Sequence, residues 1–152
     1  LDLLALDLKP ARCRRIEENL KRLGLAATVR AADCTRLDSW WDGRPFDAVL
    51  ADVPCTASGV ARRNPDTKWL RRDADVAGFA ASQARILEAL WRVVKPGGKL
   101  LYATCSVFPE ENRLQIERFL ARQPTARRGG EEQLLPTDDH DGFYYCRLDK
   151  LA

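Results

Sequence analysis

The sequence predicts an α/β fold built on an open, largely parallel sheet, and two observations predict it. Short apolar runs of strand length, Leu3 to Leu6, Ala27 to Ala31, Phe46 to Ala51 and Lys99 to Ala103, alternate with stretches of helical periodicity. Turn residues mark the joints: Gly24, Asp42-Gly43-Arg44-Pro45 and Lys95-Pro96-Gly97-Gly98.

In chain order, the first strand ends at Asp7, and Ala11 to Leu23 is an amphipathic helix with Cys13, Ile16, Leu20 and Leu23 on one face, stopped by Gly24. The second strand ends at Asp33 and the third at Asp52. The third and fourth runs are apolar enough for strands covered on both faces. Between them Ile86, Leu87, Leu90, Trp91 and Val94 recur at helical spacing, giving a strand, long loop, helix, strand unit. In an open α/β sheet such a unit has a right-handed crossover, and ligands gather at the carboxyl ends of the strands. Pro109-Glu110-Glu111 opens a last helix, its acids in the first turn, with Leu114, Ile116, Phe119 and Leu120 as its apolar residues. Gln123 to Asp141 reads as loop, and Gly142 to Leu148 as a closing strand.

A chain of 152 residues with 45% hydrophobic content supports one core, so one domain or part of one is expected. No apolar run approaches the roughly 20 residues that span a bilayer, and the start does not resemble a signal peptide. A cytoplasmic protein without a membrane partner is expected. The five cysteines, Cys13, Cys34, Cys55, Cys105 and Cys146, are odd in number and form no Cys-x-x-Cys pair. That excludes a disulfide framework or a zinc knuckle as the expectation, and no metal is expected. Cys13, Cys34 and Cys146 read as packing residues. His140, in Asp138-Asp139-His140-Asp141, reads as a solvated loop residue rather than a base. Trp40 and Trp41 read as surface packing.

Two thiols differ from the rest. Cys55 in Asp52-Val53-Pro54-Cys55 and Cys105 in Ala103-Thr104-Cys105-Ser106 each follow a predicted strand directly, which suggests paired thiol chemistry at one cleft. The loop leaving the first of them, Arg62 to Arg72, holds five basic residues against Asp66 and carries Trp69. Cations with a stacking ring suit single-stranded nucleic acid, and a solvated loop with a packed tryptophan is the equal alternative. The strand-end acids Asp7, Asp33 and Asp52 have two readings as well, ribose acceptors of a nucleotide-binding sheet or turn formers.

The strings Asp52-Val53-Pro54-Cys55-Thr56-Ala57-Ser58-Gly59, Arg63-Asn64-Pro65-Asp66, Lys68-Trp69, and Tyr102-Ala103-Thr104-Cys105-Ser106-Val107-Phe108-Pro109-Glu110-Glu111-Asn112 resemble the RNA 5-methylcytosine methyltransferases. The resemblance runs from Leu4-Ala5-Leu6-Asp7 to Asp141-Gly142-Phe143-Tyr144, and within the family it leans to the bacterial members acting on small-subunit rRNA. It implies a Rossmann-like S-adenosylmethionine-dependent sheet and methyl transfer to C5 of a cytidine in RNA, with 16S rRNA as the expected partner. By motif, Cys105 would be the nucleophile, Cys55 would assist product release, and Asp52 would face both the base and the methionine end of the cofactor. Asp7 would hold the ribose, with Arg12 beside it, and Asp33 would lie by the adenine. Arg63, Lys68 and Arg71 would contact RNA.

The family's glycine-rich cofactor loop and first strand would precede Leu1. Residues 1–152 therefore read as the C-terminal portion of a methyltransferase catalytic domain, with an N-terminal part expected in cis or trans. Pro96-Gly97-Gly98-Lys99 does not replace that loop, because it follows a helix and precedes a strand. Two other readings stay open: a non-catalytic RNA-binding or scaffold member of the same family, and a nucleotide-dependent oxidoreductase of similar sheet architecture.

Overall fold

The alternation of apolar runs with amphipathic stretches is realised in a computed structural model that describes all 152 residues, Leu1–Ala152. Chain contacts divide these into two units, Leu1–Arg44 and Pro45–Ala152.

In the first unit, β1 (Leu4–Asp7) and β2 (Thr28–Ala31) pair in parallel, with Asp7 opposite Ala31. The connection between them is α1 (Pro10–Leu23). Pro10 opens this helix where a missing N–H costs nothing. Gly24 closes it at φ 66°, a left-handed conformation that a residue without Cβ adopts freely. Cys13 and Leu37 are buried, and so is Trp40, at 4% exposure. Trp40 is thus core rather than surface packing: its backbone carbonyl is tied to the Arg30 guanidinium at 2.7 Å, which draws the ring inward.

The second unit holds a four-stranded sheet in the order β3-β4-β6-β5, made from β3 (Phe46–Asp52), β4 (Val94–Thr104), β5 (Ala126–Leu134) and β6 (Phe143–Lys150). β3 and β4 are parallel, and β6 is antiparallel to both β4 and β5. The helices are α2 (Thr67–Leu70), a single turn inside the basic loop, α3 (Asp73–Val93) and α4 (Arg113–Arg122). Helices α3 and α4 pack on one another and on this sheet.

Alternation along β4 and β6 buries Leu100, Tyr102, Tyr144, Cys146 and Leu148, while Lys99 and Arg147 point outward. Each large apolar side chain so buried contributes about 1.5–3 kcal/mol. Trp91 meets Phe119 edge to face at 5.5 Å between α3 and α4, and Tyr102 meets Tyr144 at 6.2 Å across β4 and β6.

Three expectations are corrected here. The sheet of this unit is not covered on both faces by its own helices, since Leu50 of β3 is 67% exposed. Gln123 to Asp141 is not all loop: β5 occupies its first half as an edge strand, and its run of Arg, Gly and Glu is the polar composition an edge tolerates. Lastly, Pro109-Glu110-Glu111 precedes α4 instead of opening it, forming a turn in which Glu111 N–H reaches Phe108 O and Asn112 N–H reaches Pro109 O.

The Lys95-Pro96-Gly97-Gly98 turn becomes a bulge within β4, where the register with β3 shifts and Gly97 takes φ 75°. No helix is long and apolar enough to cross a membrane.

Candidate functional site

Parallel pairing of β3 with β4 sets Asp52 opposite Ala103, and the ladder runs one step further through Val53 N–H to Ala103 O at 3.1 Å. The chain therefore leaves both strands at the same level. Three residues past Asp52 and two past Ala103, the Cys55 and Cys105 sulfurs lie 3.4 Å apart. The pairing expected from the two motifs is present.

Backbone fit makes that approach possible. Gly59 N–H donates to Cys105 O at 2.9 Å, and Gly59 O accepts from Gly142 N–H at 2.8 Å. A Cβ at Gly59 would come within 2.3 Å of Gly142 O, so only glycine fits between the two chains. Ala57 takes a left-handed φ of 60°, an uncommon conformation for a residue with Cβ.

The surrounding polar groups are buried and joined. Glu111, fully buried, accepts the Thr56 N–H (3.0 Å), the Thr56 hydroxyl (2.6 Å), the Gln83 amide (2.9 Å) and the Ser106 hydroxyl. Ser58 Oγ accepts Val107 N–H at 3.0 Å and lies 3.1 Å from Ser106 Oγ. Asn112 donates to Ser106 O at 2.8 Å and accepts from Thr104 Oγ1 at 2.6 Å. The sequence reading placed Glu111 on a helix surface and missed this role.

The two thiols are electrostatically unequal. A hydrogen bond from the Cys55 thiol holds the Cys105 pKa below the ordinary value, against burial and the negative charges of Asp52 and Glu111. The contact with Cys105, then burial, pushes Cys55 far up. The contact therefore favours the thiolate at Cys105 over one at Cys55. Asp52 is exposed at the end of β3. Burial also raises Cys34, and pushes Cys146 up to about 11. Cys13 and Cys146 are buried, as expected of packing thiols, and Cys34 is half-buried.

The basic loop divides its cations. Arg63 pairs with the buried Asp141, and Arg71 donates to Thr56 O at 2.8 Å while lying over the Phe79 ring at 5.1 Å. Lys68 is exposed, and Trp69, at 87% exposure, is not packed beneath the loop. Beside Thr56 runs a groove of about 960 Å³, floored by Ala77, Ala80 and Ala81 and rimmed by Lys68, Arg71 and Arg118. Arg118, from α4, joins these cations only through folding. His140 is exposed, as its polar run suggests.

In the first unit Asp7 accepts the Lys9 N–H at 2.8 Å and meets Arg12 at 3.5 Å, and Asp33 accepts the N–H and hydroxyl of Thr35 at 2.9 and 2.7 Å. These carboxylates stand at the carboxyl ends of two adjacent parallel strands. The Arg12 pair is exposed and loose, so Asp7 retains acceptor capacity that ribose hydroxyls can use. Carboxylate acceptors at these strand ends fit the hydroxyl donors of the nucleoside end of S-adenosylmethionine. No group of His, Cys, Asp and Glu is arranged to hold a metal.

Residues 2–149 match the family described as 16S rRNA methyltransferase RsmB/F. Ribosomal RNA small subunit methyltransferase B of Vibrio cholerae is 49% identical over 154 residues, covering 97% of this chain and 36% of that protein. The chain thus spans just over a third of the length of the curated relatives it matches. Among solved structures, PH0851 superposes with a TM-score of 0.93 at 31% identity, over 98% of this chain and 37% of that one. NSun6 from Pyrococcus horikoshii, crystallised with SFG, an analogue of S-adenosylmethionine, gives 0.87 at 26%, over 99% and 42%. These likenesses bear out the α/β, Rossmann-like methyltransferase fold expected from the sequence.

Proposed function

This chain belongs to the 16S rRNA methyltransferase RsmB/F family, and we propose that it carries the thiol centre for methylating C5 of a cytidine in small-subunit rRNA through a covalent Cys105–C6 intermediate. The observation that carries this reading is the 3.4 Å contact between two thiols at the ends of adjacent parallel strands. S-adenosylmethionine, the family's cofactor, supplies an electrophilic methyl group when bound. Asp7 and Asp33 are the residues that would hold its nucleoside end.

C5 of cytosine is a poor nucleophile. The Cys105 thiolate adds to C6, and the C5=C6 electron pair moves to C5, which would then take the methyl group as the methyl–sulfur bond breaks and its electron pair stays on the cofactor's sulfur. Negative charge builds at N3 of the base as the thiolate adds, and Asp52 would stabilise it only by donating a hydrogen bond from a protonated carboxyl group. The C5 proton must then leave, and its electron pair rebuilds C5=C6 as the Cys105–C6 bond breaks. Cys55 is the group suited to take that proton once it has released its own to solvent and stands as a thiolate. In the free protein the neighbouring Cys105 is the main cause that holds the Cys55 proton, and bonding of Cys105 to carbon removes that cause. The target base has to be unstacked, which favours a looped or single-stranded RNA over the Lys68, Arg71 and Arg118 rim, with Arg63 nearby.

Adduct formation tests the assignment. With the intact protein, cofactor and a cytidine-bearing rRNA fragment, Cys105→Ala should abolish both transfer and adduct. Cys55→Ala should transfer once and stall as a protein–RNA adduct visible on denaturing gels. An adduct that persists in Cys105→Ala and disappears in Cys55→Ala reverses the roles.

A further inference from the structure

The two thiol loops share no covalent link and come from strands about fifty residues apart along the chain, yet their sulfurs lie 3.4 Å apart. What joins them is a carboxylate. Glu111 Oε1 accepts the backbone N–H of Thr56, next to Cys55, and Oε2 accepts both the Thr56 hydroxyl and the hydroxyl of Ser106, next to Cys105. It also takes the amide of Gln83, which reaches from α3 and donates a second hydrogen bond to Pro54 O at 3.0 Å. From the far side Tyr102 O–H donates to Glu111 O at 2.7 Å and fixes the turn that carries the side chain.

Two properties set this group apart from ordinary core packing. Glu111 is fully buried and makes no ion pair, and all four of its donors are neutral. Burying a carboxylate without a cation is costly, and four donors for its roughly four lone-pair sites are what offset that cost. Moreover, the Thr56 and Ser106 hydroxyls both donate to Glu111, and Ser58 Oγ lies 3.2 and 3.1 Å from their oxygens while accepting Val107 N–H at 3.0 Å. The carboxylate thereby fixes the two hydroxyls that flank the thiols.

We infer that Glu111 is a positioning residue: its carboxylate clamps the Pro54–Ser58 loop to the Cys105–Phe108 loop and so sets the contact between the two reactive sulfurs. The inference deepens the methyltransferase reading and rests on it for what the thiols do, but the clamp itself can be tested without RNA or cofactor.

Glu111→Gln keeps the size and replaces one acceptor oxygen by an amide that faces N–H and O–H donors. Loss of the clamp separates the sulfurs, so Cys105 loses the Cys55 hydrogen bond that favours its thiolate. Alkylation of Cys105 by iodoacetamide in the intact protein, followed peptide by peptide by mass spectrometry from about pH 5 to pH 10, reads this directly. The half-maximum should move up toward the ordinary thiol value of about 8.5, and the rate at pH 7 should fall about tenfold.

The opposing effect has the opposite sign. If Glu111 were only a nearby negative charge, its neutralisation would shift the half-maximum down. An unmoved or lowered half-maximum in a variant that still unfolds cooperatively overturns the inference. Should Glu111→Gln not fold, Thr56→Val, which removes only the hydroxyl link, is read in the same way: an upward shift supports the clamp, and no shift overturns it. An upward shift in Glu111→Gln, found alongside an unsubstituted intact protein that fails to methylate RNA, would sink the proposed function and leave the clamp standing.

Discussion

Asp7 and Asp33 in the first unit and Glu111 in the second are all carboxylates beside strand ends, yet they collect their hydrogen bonds at opposite ranges. Asp7 and Asp33 take theirs from residues two positions along, Lys9 and Thr35. Glu111 takes three of its four bonds from Thr56 and Gln83, which lie 55 and 28 residues away, and the fourth from Ser106, five residues away. Local bonds form whenever the turn forms and need nothing from the fold. The distant ones exist only while β3, β4 and α3 hold their register. The difference separates two uses of one functional group. Asp7, with one hydrogen bond and a loose ion pair, retains acceptors for a ligand, whereas Glu111 is saturated and serves the protein itself.

Breaking the long-range side should have the largest effect. Gly59→Ala places a methyl group against Gly142 O and Cys105 O, both backbone atoms that cannot swing away. A loss of about 3 kcal/mol is expected in chemical denaturation, with Cys105 alkylation disturbed as well. Gly130 is the control, because a Cβ there meets nothing within 4 Å, and its alanine variant should be near neutral. Equal losses at both positions would mean that the chain is sensitive to glycine replacement in general and that the interlock at Gly59 is nothing special.

Next is Ser106→Ala, which leaves the Glu111 carboxylate one donor short inside the core. The expected loss is about 2 kcal/mol, as for a hydrogen bond to a charged group. Replacing Thr35 by Ala in the local turn should cost less than half of that, since Asp33 keeps the Thr35 N–H and lies partly in solvent. If thermal melts rank these two the other way, the contrast between a saturated, buried carboxylate and one partly in solvent is wrong.

This contrast also explains what could be read along the chain. The strands at Leu4–Asp7 and Phe46–Asp52 and the helix at Pro10–Leu23 declare themselves by period and caps, which are local properties. Both thiols were legible as strand-end residues. Their contact was not, because it depends on the register that sets Asp52 opposite Ala103. Glu111 was read as a helix-dipole acid, since nothing within a few residues reveals that Thr56 and Gln83 will face it. The edge strand Ala126–Leu134 was hidden by its own polarity, because an edge needs no apolar alternation to pair with β6.

The basic loop offers a sharper division at smaller cost. Arg63 holds a buried aspartate, whereas Lys68 is an exposed cation on the groove rim. Arg63→Ala should therefore cost about 1 kcal/mol of stability, discounted for the exposure of the guanidinium. Lys68→Ala should leave stability alone and flatten the salt dependence of RNA binding by roughly 0.7 for the lost phosphate contact. An unchanged slope for Lys68→Ala would return this part of the loop to a solvated surface.

The smallest effect is expected at Arg12, and it bears on whether Asp7 works alone. Its guanidinium is 65% exposed and lies 3.5 Å from Asp7, so salt and solvent screen the pair. Arg12→Ala should change the unfolding free energy by no more than about 0.5 kcal/mol. Its effect on cofactor affinity discriminates more. If Arg12 acts only by steadying the Asp7 carboxylate, calorimetry on the intact protein should find affinity for S-adenosylmethionine reduced by no more than about threefold, and the difference should vanish as salt is raised. Asp7→Asn removes the acceptor itself and should weaken binding much more, with little response to salt. A large, salt-insensitive loss in Arg12→Ala, equal to that of Asp7→Asn, would make Arg12 a direct ligand of the cofactor and place it on the same footing as the carboxylate it accompanies.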